Sequence, residues 1–109
     1  MPYDEILAGR IRDELGQQPG LVEKKMFGGV GFLVHGNMAC GVNKDMLIVR
    51  VGPEAYEESL QYPHTRPFDF TGRAMKGWVM VEPAGLASDA DLKEWVAQGL
   101  NFALTLPPK

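Results

Sequence analysis

Between Leu21 and Val51 the chain breaks into four short apolar or alternating runs, LVEKKMF, VGFLVH, MACGV and MLIVRV. The gaps between them hold only Gly28-Gly29, Gly36-Asn37 and Asn43-Lys44-Asp45. Such gaps can reverse a strand but cannot house a crossover helix, so successive runs must pair antiparallel. A meander of three to four strands is therefore expected in the middle of this 109-residue chain. That length suits one core burying roughly 65% of the unfolded surface.

Helical patterns flank the meander. In PYDEILAGRIRDEL, Ile6, Leu7, Ile11 and Leu15 recur at helical spacing, Asp4 and Glu5 sit where the helix dipole favours negative charge, and Gly16 and Pro19 supply the stop. This predicts a helix over about residues 3–15. After the meander, Pro53 opens a short helix, PEAYEESLQ, with Ala55, Tyr56 and Leu60 inward and Pro63 closing it. YPHTRPFDFTGRAMKG reads as a long irregular connection with a short strand at Phe68 to Phe70, and GWVMVEP as a strand ending at Pro83. Ser88 caps a last helix that carries Leu92, Trp95, Val96, Leu100, Ala103 and Leu104 inward and runs to about residue 104. The order is helix, meander, helix, one or two strands, helix. It places the chain in the α+β class, as a two-layer single domain over residues 1–109 with a mainly antiparallel sheet.

Eleven basic and fourteen acidic residues leave a net charge of -3, which repels phosphate backbones, so autonomous binding of duplex DNA is not expected. The single cysteine, Cys40, cannot form an internal disulfide. The N-terminus lacks the layout of a secretory signal, and no apolar run approaches the ~20 residues of a membrane span. A cytoplasmic location is expected.

Chemical motifs are sparse. Gly28, Gly29 and Gly31 invite comparison with phosphate loops. No Gly-x4-Gly-Lys-Ser/Thr string occurs, however, and Gly29-x-Gly31 continues into a strand rather than a helix. Together with Gly36 they read as structural glycines at bends or close approaches. Cys40, between Ala39 and Gly41, reads as a small buried hydrophobe, and His35 and His64 belong to no cluster with metal-ligand spacing. No catalytic residue, cofactor or metal is expected. The segment from His64 to Trp78 stands out because Arg66, Arg73 and Lys76 alternate there with Phe68, Phe70 and Trp78, a basic and aromatic patch on an acidic protein. Arginine and aromatic residues together are favoured at protein interfaces and on single-stranded nucleic acid alike, the plainer alternative being rings packed under the loop with the basic groups in water. Arg50 in MLIVRV alternates to a face from which it either joins the patch or only solvates the sheet.

The strings MFGGVGFLVHGNMACGV, LIVRVG, KGWVMVEP and LKEWVAQGLNFAL resemble the N-terminal domain of the TfoX/Sxy family over nearly the whole chain. The resemblance implies a two-layer α+β unit of secretion-chaperone-like fold. It also implies a role in bacterial competence regulation as a transcription coactivator beside the cyclic-AMP receptor protein rather than as an enzyme. The family's second, helical domain is not expected after LPPK, and the family offers no catalytic motif to carry over. Two functional readings follow. The first is a non-enzymatic module contacting a protein, such as transcription machinery, through Arg50, Arg66, Phe68, Arg73, Lys76 and Trp78. The alternative is a small-ligand or anion-binding domain using Arg50, Arg66 and Arg73 as clamps. An open edge of the meander would also permit a homodimer.

Overall fold

The Asp4 carboxylate accepts hydrogen bonds from the backbone N–H groups of Ile6 at 2.9 Å and Leu7 at 3.1 Å, and helix α1 (Glu5–Leu15) begins behind it. Gly16, with φ of 56°, ends the helix in a conformation glycine adopts without cost. The computed structural model describes residues 3–26, 28–69 and 75–108. Leu7, Ile11 and Leu15 form the buried stripe of α1 together with Ala8, so Ile6 falls beside the stripe and is exposed rather than inward.

The meander has four strands, β1 (Leu21–Met26), β2 (Gly29–Val34), β3 (Asn37–Asn43) and β4 (Met46–Arg50), each antiparallel to the next. The turn between β2 and β3 is His35-Gly36 rather than Gly36-Asn37. Both turn residues have positive φ, 51° and 84°, as a type I′ hairpin requires. Asn37 instead opens β3, buried, with its side-chain amide donating to the Pro107 carbonyl at 2.9 Å.

Helix α2 (Tyr56–Ser59) is a single turn, shorter than the PEAYEESLQ pattern suggests. Gln61 and Tyr62 donate back only three residues, to Glu58 and Ser59, so the turn tightens before Pro63 can continue it. Strand β5 (Thr65–Pro67) lies just before the expected Phe68 to Phe70. It is an edge strand, where the missing N–H of Pro67 costs no ladder bond. Phe70 lies outside the described residues. Strand β6 (Trp78–Val81) inserts between β4 and β5, a 3₁₀ turn (Pro83–Leu86) follows, and helix α3 (Asp89–Leu104) starts from Ser88, whose hydroxyl accepts from the Asp91 N–H at 3.0 Å. The strand order is β1-β2-β3-β4-β6-β5, antiparallel throughout.

Helices α1 and α3 cover one face of this sheet. Leu7, Ile11, Leu92, Trp95 and Val96 pack there on Phe32, Cys40, Val42, Leu47, Val49, Val79 and Val81. Leu104, expected inward, is exposed at the last turn of α3. A bulge between Phe32 and Leu33 leaves Ala39 unpaired, and a Cβ on Gly99 would collide with the Ala39 carbonyl oxygen. Helix α3 therefore rests backbone to backbone on β3, an approach only glycine permits. The strand pleat sends the intervening residues to the other face, where Ile48, Met80 and Phe68 form a smaller core joined by Met46 and Trp78.

Candidate functional site

Arg50 ends β4 directly opposite Trp78 of β6. Its guanidinium carbon lies 5.2 Å from the centre of a Trp78 ring and 5.5 Å from that of Phe102 on α3, within cation–π range of both. Local backbone geometry places these three side chains. The Gly77 carbonyl accepts from the N–H groups of Val51 at 2.8 Å and Gly52 at 3.0 Å, tying the end of β4 to the turn before Trp78. Gly52, with φ of 89°, carries no Cβ, and one built there would come within 2.5 Å of the Phe102 ring. The ring can therefore close over the strand end and reach Arg50. The guanidinium N–H groups of Arg50 find no hydrogen-bond or ion-pair acceptor among the described residues.

The other candidates from the sequence divide. Phe68 is buried in the smaller core with its ring 6.3 Å from that of Trp78, so it supports the site from below rather than contacting a ligand. Arg66, opposite Met80 on β5, donates to the Met46 sulfur at 3.0 Å and has a Glu82 carboxylate oxygen 4.0 Å away, so part of its charge is already answered. Lys76 is exposed in the turn before β6. Arg73 lies outside the described residues, as does Phe27 of the glycine-rich string. The structure thus brings Arg50, Arg66, Phe68 and Trp78 to one face of the β4-β6-β5 half of the sheet. It adds Phe102 and Gly52, which sequence reasoning missed. Phe102 falls outside the main apolar stripe of α3, and Gly52 reads equally well as the approach to a helix. A Gly-Pro pair one residue beyond a strand ending in arginine was the available signal.

The glycines behave as backbone elements. Gly28 has φ of 74° and Gly36 of 84°, and a Cβ on Gly29 would fall on the Val42 carbonyl oxygen of the neighbouring strand. Gly31 faces Gly41 across β2 and β3, where a Cβ on Gly41 would lie 2.6 Å from the Val30 carbonyl oxygen. Cys40 is wholly buried in the main core, and burial pushes its thiol up to about 12, which removes the thiolate that nucleophilic chemistry needs.

A separate cleft of about 180 Å³ lies between α3 and the segment leading into β5, edged by Tyr62, His64, Asp91, Glu94, Trp95 and Gln98. The Tyr62 and Trp95 rings meet there edge to face at 5.4 Å, and His64 adopts a positive φ of 61° while its carbonyl accepts from the Glu82 N–H at 2.8 Å. Among the described residues no three His, Cys, Asp or Glu side chains are grouped to hold a metal. The cleft is small, aromatic on one wall and acidic on the rim, and sequence spacing gave no sign of it because its parts come from segments some 30 positions apart.

The model of the TfoX N-terminal domain matches residues 13–103, most of the chain. The chain belongs to that family. No curated protein and no solved structure matches it significantly. Membership of the TfoX N-terminal domain family agrees with the α+β layout described above, and the match takes in every residue of the Arg50 surface. No described helix is long and apolar enough to cross a membrane.

Proposed function

We propose that this TfoX N-terminal domain is a non-enzymatic, protein-binding module of transcription regulation. In this reading it works in the cytoplasm and meets its partner through the surface centred on Arg50. The observation that carries the proposal is the guanidinium of Arg50, held by Trp78 and Phe102 and left without an acceptor among the described residues. An arginine fixed against aromatic rings has already lost much of the side-chain freedom that binding would otherwise cost, and arginine and tryptophan are the residues that most often dominate protein interfaces. Arg66 and Lys76 would extend the surface at its rim. The anion-clamp alternative is less well supported, because Arg66 already faces Glu82 and a clamp needs converging free cations. Duplex DNA is not the proposed target, since a chain of net charge -3 with one small basic patch can neutralise few phosphates.

The test compares proteins captured from native lysate by the unaltered domain and by Arg50→Ala, after urea unfolding has shown both to be folded. A defined partner lost on substitution is the expected result. Capture unchanged by Arg50→Ala would refute the surface, and a metabolite that raises the melting temperature only when Arg50 is present would favour the anion-binding alternative.

A further inference from the structure

The cleft beside Tyr62 and Trp95 takes Asp91, Glu94 and Gln98 from α3, at steps of three and four residues that share one side of a helix. The Asp91 and Glu94 carboxylates have no hydrogen-bond or ion-pair partner among the described residues. Two like charges one turn apart repel each other, and no described lysine or arginine lines the cleft to answer them. Gln98 Nε2 donates to the buried Ser59 hydroxyl at 3.2 Å, and its amide oxygen is a further acceptor without a partner among the described residues. On the other side of the cleft the 3₁₀ turn packs closely on the segment before β5, since a Cβ on Gly85 would lie 3.2 Å from His64 Cβ.

Free carboxylates beside aromatic rings attract a cation and repel an anion. Two observations decide which kind. A metal ion needs several ligand atoms closing on one point, and among the described residues no three His, Cys, Asp or Glu side chains are so grouped, although His64, Asp91 and Glu94 line the same cleft. At about 180 Å³ the cleft is also smaller than the roughly 300–1,000 Å³ that encloses a drug-sized molecule, so it admits one head group on a short stem. We infer that this cleft binds an organic cation, an ammonium or guanidinium group on a short alkyl chain, with Asp91 and Glu94 answering its charge and Tyr62 and Trp95 providing aromatic surface. Such a group has two sources, a free amine and the lysine or arginine side chain of another protein, and the chemistry recognised is the same in both. None of the lining residues belongs to the Arg50 surface, so the inference does not depend on the reading proposed above.

The probes are n-butylammonium, n-butylguanidinium, the neutral 1-butanol and Mg²⁺. They are titrated into the ¹⁵N-labelled whole protein at low salt and pH 8, above the ordinary histidine value of about 6.5. The Trp95 indole N–H resonance is followed, with that of Trp78, which does not line the cleft, as internal reference. Both organic cations are expected to shift Trp95 saturably, and 1-butanol should bind at least about fivefold more weakly, as loss of two exposed charge contacts implies. Asp91→Asn with Glu94→Gln should weaken the cations by a similar factor. Asp13→Asn with Glu14→Gln, which removes the same charge from exposed positions on α1, should change them less than twofold. Tyr62→Leu, at a half-exposed ring, should weaken them about two- to fivefold. No saturable Trp95 shift with either cation, equal binding of 1-butanol, tighter binding of Mg²⁺, or an affinity unchanged by the Asp91 and Glu94 substitutions would each overturn the assignment. Terminally blocked Gly-Lys-Gly and Gly-Arg-Gly then separate the sources. Binding at least as tight as that of the free cations assigns a protein side chain, and binding lost in the peptides assigns a free amine.

Discussion

Replacing Gly99 by alanine should destabilise the protein even though alanine is the better helix former. At position 99 the new methyl would overlap the carbonyl oxygen of Ala39 and lie 3.2 Å from the Ala39 carbonyl carbon and 3.3 Å from Val49 Cγ1. Two of these atoms are backbone at Ala39, which is fully buried, so they cannot turn aside as a side-chain tip would, and α3 must lift off the sheet. Overpacking of this kind costs about 1–3 kcal/mol, against which helix propensity returns about 1 kcal/mol, leaving a net loss of up to about 2 kcal/mol. Gly9→Ala on α1 is the control, because the nearest atom to its added methyl is Arg12 Nη1 at 4.0 Å. That variant should gain roughly 0.5–1 kcal/mol. With a urea m-value of about 1–3 kcal/mol/M, the two midpoints should stand roughly 1 M apart, on opposite sides of the wild type. A Gly99→Ala midpoint at or above that of the wild type, with m unchanged, would refute the close packing of α3 on the bulge.

Gly29→Val should cost about 1–3 kcal/mol in urea unfolding, because its Cβ has no space beside the Val42 carbonyl, and an unchanged midpoint would contradict this. Cys40 should react with a thiol reagent slowly in the native protein and fast in urea, since its thiol is buried and held at about 12; rapid native labelling near neutral pH would show otherwise. Arg12 pairs two-pronged with Glu23, through Nε at 2.8 Å and Nη2 at 2.7 Å, and this hydrogen bonding holds the Glu23 carboxyl below its ordinary value against a smaller opposing effect of burial. A lowered carboxyl contributes stability above its unfolded pKa, near 4.3, and loses it as pH falls through the folded value. Both side chains are substantially exposed, so Glu23→Gln should cost only about 0.5 kcal/mol at pH 7, and the gap should narrow when the comparison is repeated at a pH below the unfolded pKa. An equal gap at both pH values would remove the ion pair as its cause.

The parts of the fold that local rules govern were legible in the sequence. The meander of three to four strands followed from gap lengths, and both long helices from apolar spacing, the early acids Asp4 and Glu5 and the cap at Ser88, whereas Asp4 proved to be the N-cap itself. What could not be read depended on long-range placement. The insertion of β6 between β4 and β5 is a choice of pairing partner that no local pattern encodes. The bulge at Ala39 and the role of Gly99 exist only once α3 docks on β3. At the candidate site, Arg50 and Trp78 were visible as a charged and an aromatic residue on strand ends, but their register, and the arrival of Phe102, 52 positions beyond Arg50 in the chain, were not. Phe68 and Arg66 were singled out for composition alone. Burial turned the first into core, and Glu82 partly answered the second.

The most direct test of the Arg50 surface is site-specific photo-crosslinking in native lysate, with the photoreactive residue placed either at Lys76, in the turn before β6, or at Ala97, on the exposed side of α3. Position 76 should yield a discrete protein adduct that disappears when Arg50→Ala is added, and position 97 should not yield it. An adduct only from position 97, or one from position 76 that survives Arg50→Ala, would contradict the claim that this domain meets a partner through Arg50.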